Sequence, residues 1–292
     1  MKVEVPDGRL LGAHMSVAGG LSKAFSRGES TGCTAIQIFI KNQHRWNAPE
    51  LTNEEIKEFK KEKERTGIFC FAHAAYLPNL ASPKSELLEK SIDAIIAELK
   101  RCDALNIPFL VFHPGSHTTG SRKEGINRVA RSLRNIFHEN EIKASLVLEI
   151  TAGQGTNLGS NIEELDEIME KSEVKDHLGI CFDTCHAFAA GYDIRSLVDY
   201  DELWENFDRL VGMDMLKALH LNDSLGGPGS HKDRHAHIGH GEIGHKGFRN
   251  IINDKRLNNL PMVLETPKKL DDDSDKEMDP VNLRTLIGLI ED

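Results

Sequence analysis

The sequence predicts one α/β domain, a (β/α)8 barrel of the TIM type, and three observations lead there. Eight apolar runs of strand length recur along the chain, each followed by a loop and then a stretch of helical periodicity. The runs are apolar on both faces, as the strands of a parallel sheet covered by helices must be. They repeat at roughly 35 residues, the spacing of successive βα units in a closed barrel. A doubly wound open sheet is the competing arrangement of the same units.

In chain order the strand candidates are Leu10 to His14 (LLGAH), Ala35 to Phe39 (AIQIF), Ile68 to His73 (IFCFAH), Phe109 to His113 (FLVFH), Leu146 to Glu149 (LVLE), Leu178 to Asp183 (LGICFD), Leu216 to His220 (LKALH) and Met262 to Glu265 (MVLE). The helical candidates between them run over Gly20 to Ser30, Asn53 to Thr66, Lys84 to Leu105, Glu124 to Asn140, Ile162 to Lys171, Asp201 to Val211, Lys246 to Asp254 and Pro280 to Ile290. Some open on cap-like residues: Asn53 precedes Glu54 and Glu55, and Asn161 precedes Glu163 and Glu164. No linker, low-complexity block or longer repeat interrupts this rhythm, so residues 1–292 read as a single domain. The acidic run DDDSDKE, Asp271 to Glu277, reads as a solvated loop.

A composition of 39% hydrophobic and 28% charged residues over 292 residues supports a sizeable core and excludes a disordered chain. No run approaches the roughly 20 apolar residues of a membrane span, and the first residues lack the layout of a secretory leader. Five cysteines, odd in number and without CxxC spacing, read as reduced thiols. A soluble cytoplasmic protein is expected, with no membrane partner. The formal charge of −10 argues, taken alone, against a nucleic-acid partner.

Six of the eight strand candidates end in a residue able to bind a metal: His73, His113, Glu149, Asp183, His220 and Glu265. In parallel α/β folds the C-terminal strand ends face one shared mouth, so all six would meet there. Just beyond lie His186, three residues after Asp183, and the loop after His220, which holds Asp233 and His235. Asp233 and His235 are two apart, so in an extended loop their side chains leave on the same side and can join His186. Mixed His and carboxylate donors suit zinc, manganese or iron. Nine ligands are too many for one tetrahedral ion and imply two or three, able together to activate water for attack on phosphorus.

The stretches GAHMSVAGGL, FIKNQHRW, HAAYLPNLASP, FHPGSH, LEITAGQGTNLG, CFDTCHAFAAGYD, HLNDS, GSHKDRHAHIGHGEIG and VLET, in this order, resemble the endonuclease IV family of zinc-dependent apurinic/apyrimidinic endonucleases over nearly the whole chain. The resemblance implies a single barrel with three zinc ions, manganese being accepted at some sites, that cuts double-stranded DNA 5′ to an abasic site. The products would be a 3′-hydroxyl and a 5′-deoxyribose phosphate, with trimming of 3′ blocking groups as a second activity. By motif, His73 and His113 would hold the first ion and Glu149 would bridge it to the second. Asp183, His220 and Glu265 would complete the second, while His186, Asp233 and His235 would hold the third. Glu149 and Glu265 would be the catalytic carboxylates, Glu265 also orienting the nucleophile. A monomer without an obligate protein partner is implied.

The resemblance also implies DNA-inserting loops after the second and third strands. Tyr76 and Leu77 match the third loop. In the second, the family commonly reads KNQR, whereas this chain reads KNQH followed by Arg45, so His44 and Arg45 both stand as candidates. Lys41, Arg45, Arg122, Lys123, Lys232 and Arg234 fall in loops on the metal face and are expected to meet phosphates. With the charge of three zinc ions they would offset the acidic balance locally. Sugar isomerases and epimerases share strand-end His and carboxylate ligands, but their small substrates have no need of the His186, Asp233, His235 trio or of Tyr76 and Leu77. A silent DNA-binding or zinc-storage protein on the same fold is argued against by the complete ligand set. The GxG in TAGQGTN lacks the third glycine and the following helix of a dinucleotide site.

Overall fold

The computed structural model describes residues 2–269 and 277–291, so most of the acidic run Asp271 to Glu277 lies outside the described residues. Eight parallel strands close into a barrel: β1 (Leu11–His14), β2 (Ala35–Phe39), β3 (Phe69–His73), β4 (Phe109–Phe112), β5 (Ser145–Glu149), β6 (Leu178–Asp183), β7 (Leu216–His220) and β10 (Met262–Leu264), with β10 pairing back onto β1. Each strand candidate holds to within a residue or two, and closure rules out the open sheet. His113 and Glu265 fall one residue past the ends of β4 and β10.

The helices α1 (Lys23–Thr31), α2 (Asn53–Thr66), α3 (Ser85–Leu105), α4 (Arg122–Glu139), α5 (Ile162–Ser172), α7 (Leu197–Leu210), α8 (Gly244–Ile252) and α9 (Asp279–Ile287) follow the expected segments. α1 begins three residues later than expected, after Gly19 and Gly20 adopt positive φ of 83° and 126° that a right-handed helix excludes. The cap of α2 is Thr52 rather than Asn53: its side chain accepts from the Glu55 amide, and Glu55 reaches back to complete a capping box. Asn161 caps α5 as expected, accepting from the Glu164 amide. Two elements carried no periodic signal: the short helix α6 (Thr184–Ala190) and a two-stranded antiparallel ribbon, β8 (Asp223–Ser224) with β9 (His235–Ala236).

Strand alternation divides the core in two. Ala35, Phe71, Phe109, Val111, Val147, Cys181, Ala218 and Val263 fill the barrel interior. Their neighbours along each strand, such as Ile36, Ile38, Cys70, Leu110, Leu148, Phe182 and Leu219, pack outward with the helices. All five cysteines are buried and unbridged. Among the described residues no helix is long and apolar enough to cross a membrane.

Phe71 is fully buried in the interior, with its ring centroid 5.0 Å from that of Phe109. Phe71→Ala is expected to lower unfolding free energy by about 3–5 kcal/mol, measured by urea denaturation; a loss below about 1 kcal/mol would contradict a tightly filled interior.

Candidate metal centre

Counting two residues on from the interior apolar layer gives the next inward side chain of each strand. Phe71 leads to His73, Val111 to His113, Val147 to Glu149, Cys181 to Asp183, Ala218 to His220 and Val263 to Glu265. The same parity takes Ala35 to Gln37 and places His14 at the end of β1. All eight strands therefore deliver a polar side chain to one level. The six strand-end ligand candidates form most of this ring, and His14 and Gln37, unassigned from sequence, complete it.

A second tier comes from α6 and the ribbon. The Asp183 carboxylate caps α6 by accepting from the His186 amide at 2.8 Å, which fixes His186 one turn above the ring. The ribbon brings Asp233 and His235 over the mouth. Its loop is gathered by the buried Asp223 carboxylate, which accepts from the amides of Gly239, Gly241 and Ile243 at 2.9–3.0 Å.

The nine candidates converge. Glu149 Oε2 lies 2.9 Å from His73 Nε2 and 3.1 Å from His113 Nε2, while its Oε1 lies 3.0 Å from His220 Nδ1 and 3.2 Å from His186 Nδ1. Glu265 Oε2 is 3.2 Å from His220 Nδ1, and Asp233 Oδ1 is 3.2 Å from His186 Nε2 and 3.4 Å from His235 Nε2. The atoms group as metal-sized clusters: His73, His113 and Glu149; Glu149, Asp183, His220 and Glu265; and Asp183, His186 and His235. Asp233 and His235 also cluster with Cys185, a neighbour the sequence reading did not consider.

Hydrogen bonds fix which ring nitrogen is free. His73, His186 and His235 turn Nδ1 to the carbonyls of Ala74, Ile150 and Glu265 at 2.8, 3.0 and 3.3 Å, which can only accept, leaving Nε2 to face the site. His220 is reversed: its Nε2 donates to Gln37 Oε1 at 2.7 Å, leaving Nδ1. Gln37 is itself oriented because its amide nitrogen donates to Glu265 Oε1 at 2.5 Å. Asn222 braces the other side, donating to Asp183 Oδ2 at 2.7 Å and accepting from the Glu265 amide at 2.8 Å. Among the described residues His235 Nε2 is buried with no hydrogen-bond partner. An orphaned imidazole nitrogen among ionised carboxylates fits a cation ligand, and this N/O donor set fits zinc.

The electrostatics agree. Burial pushes the Glu149 carboxyl up, but His220 and His113 outweigh it and hold the group well below the ordinary carboxylate range. Glu265 is likewise held well below that range, burial being outweighed by His220 and the hydrogen bond with His14. Burial would lower His186 and His220, yet Asp183 and Asp233 at the first, and Cys181, Glu265 and Glu149 at the second, raise both well above the ordinary value. Without metal, protons on these histidines take the place of cations.

Around the mouth, Tyr76 is 63% exposed and edge-on to Phe39 at 5.5 Å, with Leu77 half-buried beside it. His44 and Arg45 are exposed, and the Arg45 guanidinium has no partner among the described residues. Lys123, Lys232 and Arg234 are also exposed. One expected phosphate contact is corrected: the Lys41 ammonium is buried, donating to the Arg45 and Trp46 carbonyls and facing Glu98. Arg122 is exposed and pairs with Glu164 at 2.6 Å.

These shifts set a pH dependence. In metal-stripped protein the stabilisation from His186 and His220 is full below their ordinary value of 6.5 and is lost as pH rises through the raised values. That from Glu149 and Glu265 is present above 4.5 and is lost as pH falls through the lowered values. Thermal melting of stripped protein is thus expected to peak between these limits and fall toward alkaline pH, while added zinc, displacing the protons, removes the alkaline fall. A stripped protein that gains stability above pH 6.5 would contradict the raised histidines.

Comparison with known proteins agrees with this geometry. A family model described as xylose isomerase-like TIM barrel matches residues 25–284. A probable endonuclease 4 from Chloroflexus aggregans is 48% identical over 280 residues, covering 95% of this chain and 98% of its own. The crystal structure of endonuclease IV from Thermus thermophilus superposes with a TM-score of 0.82 at 34% identity, covering 96% of this chain and 98% of that one. A D-tagatose 3-epimerase-like protein, with a TM-score of 0.70 and 20% identity over 96% of each chain, shares the fold alone. On its sequence and its barrel, the chain belongs to the endonuclease IV family and is a nuclease.

Proposed function

We propose that this chain hydrolyses the phosphodiester 5′ to an abasic site in double-stranded DNA, using three zinc ions held by its nine convergent side chains. The observation that carries the reading is that cluster lying beside the exposed Tyr76, whose ring is 6.0 and 6.5 Å from those of His73 and His113, with an exposed Arg45 in the neighbouring loop. His73 and His113 would hold one ion with Glu149, and Asp183, His220 and Glu265 a second, again with Glu149. His186, Asp233 and His235 would hold the third. Manganese fits the same donors. Zinc held there would supply Lewis acidity, activating water and compensating the charge that develops on phosphate oxygens.

The protein's own groups do the positioning. Glu149 turns Oε2 to His73 and His113 and Oε1 to His220, as a carboxylate shared between the first two ions would. Glu265, kept ionised and fixed by Gln37, is an acceptor able to orient the attacking water. Tyr76 offers a ring that stacks on any base, and Arg45 a cation for phosphate or for the gap. An abasic nucleotide has no base to unstack, so turning it into the site avoids the few kcal/mol that an intact nucleotide costs. The same site would trim 3′ blocking groups, whose phosphodiester or phosphate presents the same atoms. We place the enzyme in the cytoplasm with the DNA, acting as a monomer.

Purified protein is expected to cut a labelled duplex carrying one abasic analogue that cannot undergo β-elimination, on the 5′ side only. Chelation should abolish the cut and zinc restore it. Absence of cutting by protein shown to hold zinc would overturn the reading.

A further inference from the structure

We infer that a buried ion pair, Lys41 with Glu98 of α3, sets the spacing of the two DNA-facing loops. The inference rests on the reading that the loops after β2 and β3 enter the abasic gap. The Lys41 ammonium lies 3.4 Å from Glu98 Oε1 and donates to the carbonyls of Arg45 at 2.9 Å and Trp46 at 3.1 Å, so it holds the tip of the first loop. Glu98 Oε2 accepts from the Ala75 amide at 3.2 Å, so the same pair holds the second loop one residue before Tyr76. One turn along α3, Arg101 donates to the carbonyls of Ile40 at 2.9 Å and Pro49 at 2.8 Å, fixing both ends of the first loop on the same helix.

The Lys41 and Glu98 side chains are 2% and 1% exposed. A buried ion pair is weak support for stability, since apolar residues of similar volume often serve as well. Among the described residues neither side chain hydrogen-bonds or ion-pairs with a metal-ligand candidate. What the pair does is tie the tip of the first loop to the start of the second, beyond the contact of Phe39 with Tyr76 at their bases: displacing the carbonyls around Arg45 moves Lys41, then Glu98, then the amide that leads into Tyr76. Lys41 and Glu98 are positioning residues for lesion recognition.

The test is Lys41→Met with Glu98→Gln, which removes both charges together and leaves an acceptor for the Ala75 amide. The double variant is expected to keep its zinc content and melting temperature. On the abasic duplex its kcat should stay within about threefold of the native value while KM rises about tenfold or more. In the native chain Arg45→Ala and Tyr76→Ala should be non-additive in KM by about threefold or more, and additive in the double-variant background. Should the double variant fail to fold, Glu98→Gln alone gives the same comparison. Unchanged KM, or the same coupling in both backgrounds, overturns the inference while leaving incision by the native chain intact. A native chain that does not cut overturns the functional reading instead.

Discussion

In a closed parallel barrel every second residue of every strand points to the axis, so strands that end at one level must deliver their side chains to one small volume. Here that level is polar all the way round: His14, Gln37, His73, His113, Glu149, Asp183, His220 and Glu265. The layer beneath is apolar all the way round and sealed by Phe71 and Phe109. The polar ring has only the mouth above it from which to receive compensating charge. The second tier, on α6 and the ribbon, closes over it and adds His186, Asp233 and His235.

Such a layer is costly unless its charges are matched. Glu149 and Asp183 are fully buried, and Glu265 is nearly so. Histidines surround them closely enough to hold Glu149 and Glu265 ionised. Each of four ring orientations is fixed by a carbonyl or amide oxygen behind it, so the free nitrogens are aimed before any cation arrives. That pre-organisation separates a metal centre from a group of histidines that happen to lie together.

The barrel and the six strand-end ligand candidates were legible in the sequence because each βα unit repeats the same local grammar: an apolar run, then a residue whose chemistry stands out against it. Gln37 was not, since an amide inside AIQIF reads as part of a strand, and only the side-chain hydrogen bonds of the closed barrel bring it to His220 and Glu265. α6 is too short to show a helical period, and the ribbon depends on Asp223 collecting amides far along the chain. Lys41 shows the limit most plainly: next to a polar loop it reads as a surface cation, and only the packing of α3 reveals Glu98 beside it. The displacement of the α2 cap from Asn53 to Thr52 is a smaller error of the same kind, because neighbouring residues of similar chemistry compete for one position.

The central claim is that one ring of strand-end residues and one tier above it together hold three ions. Crystals grown with zinc, with anomalous diffraction recorded on both sides of the zinc absorption edge, test it directly. The account predicts three zinc peaks: one beside His73, His113 and Glu149, one beside Glu149, Asp183, His220 and Glu265, and one beside His186, Asp233 and His235. A single peak, or peaks that leave His186, Asp233 and His235 without a zinc neighbour, would contradict it.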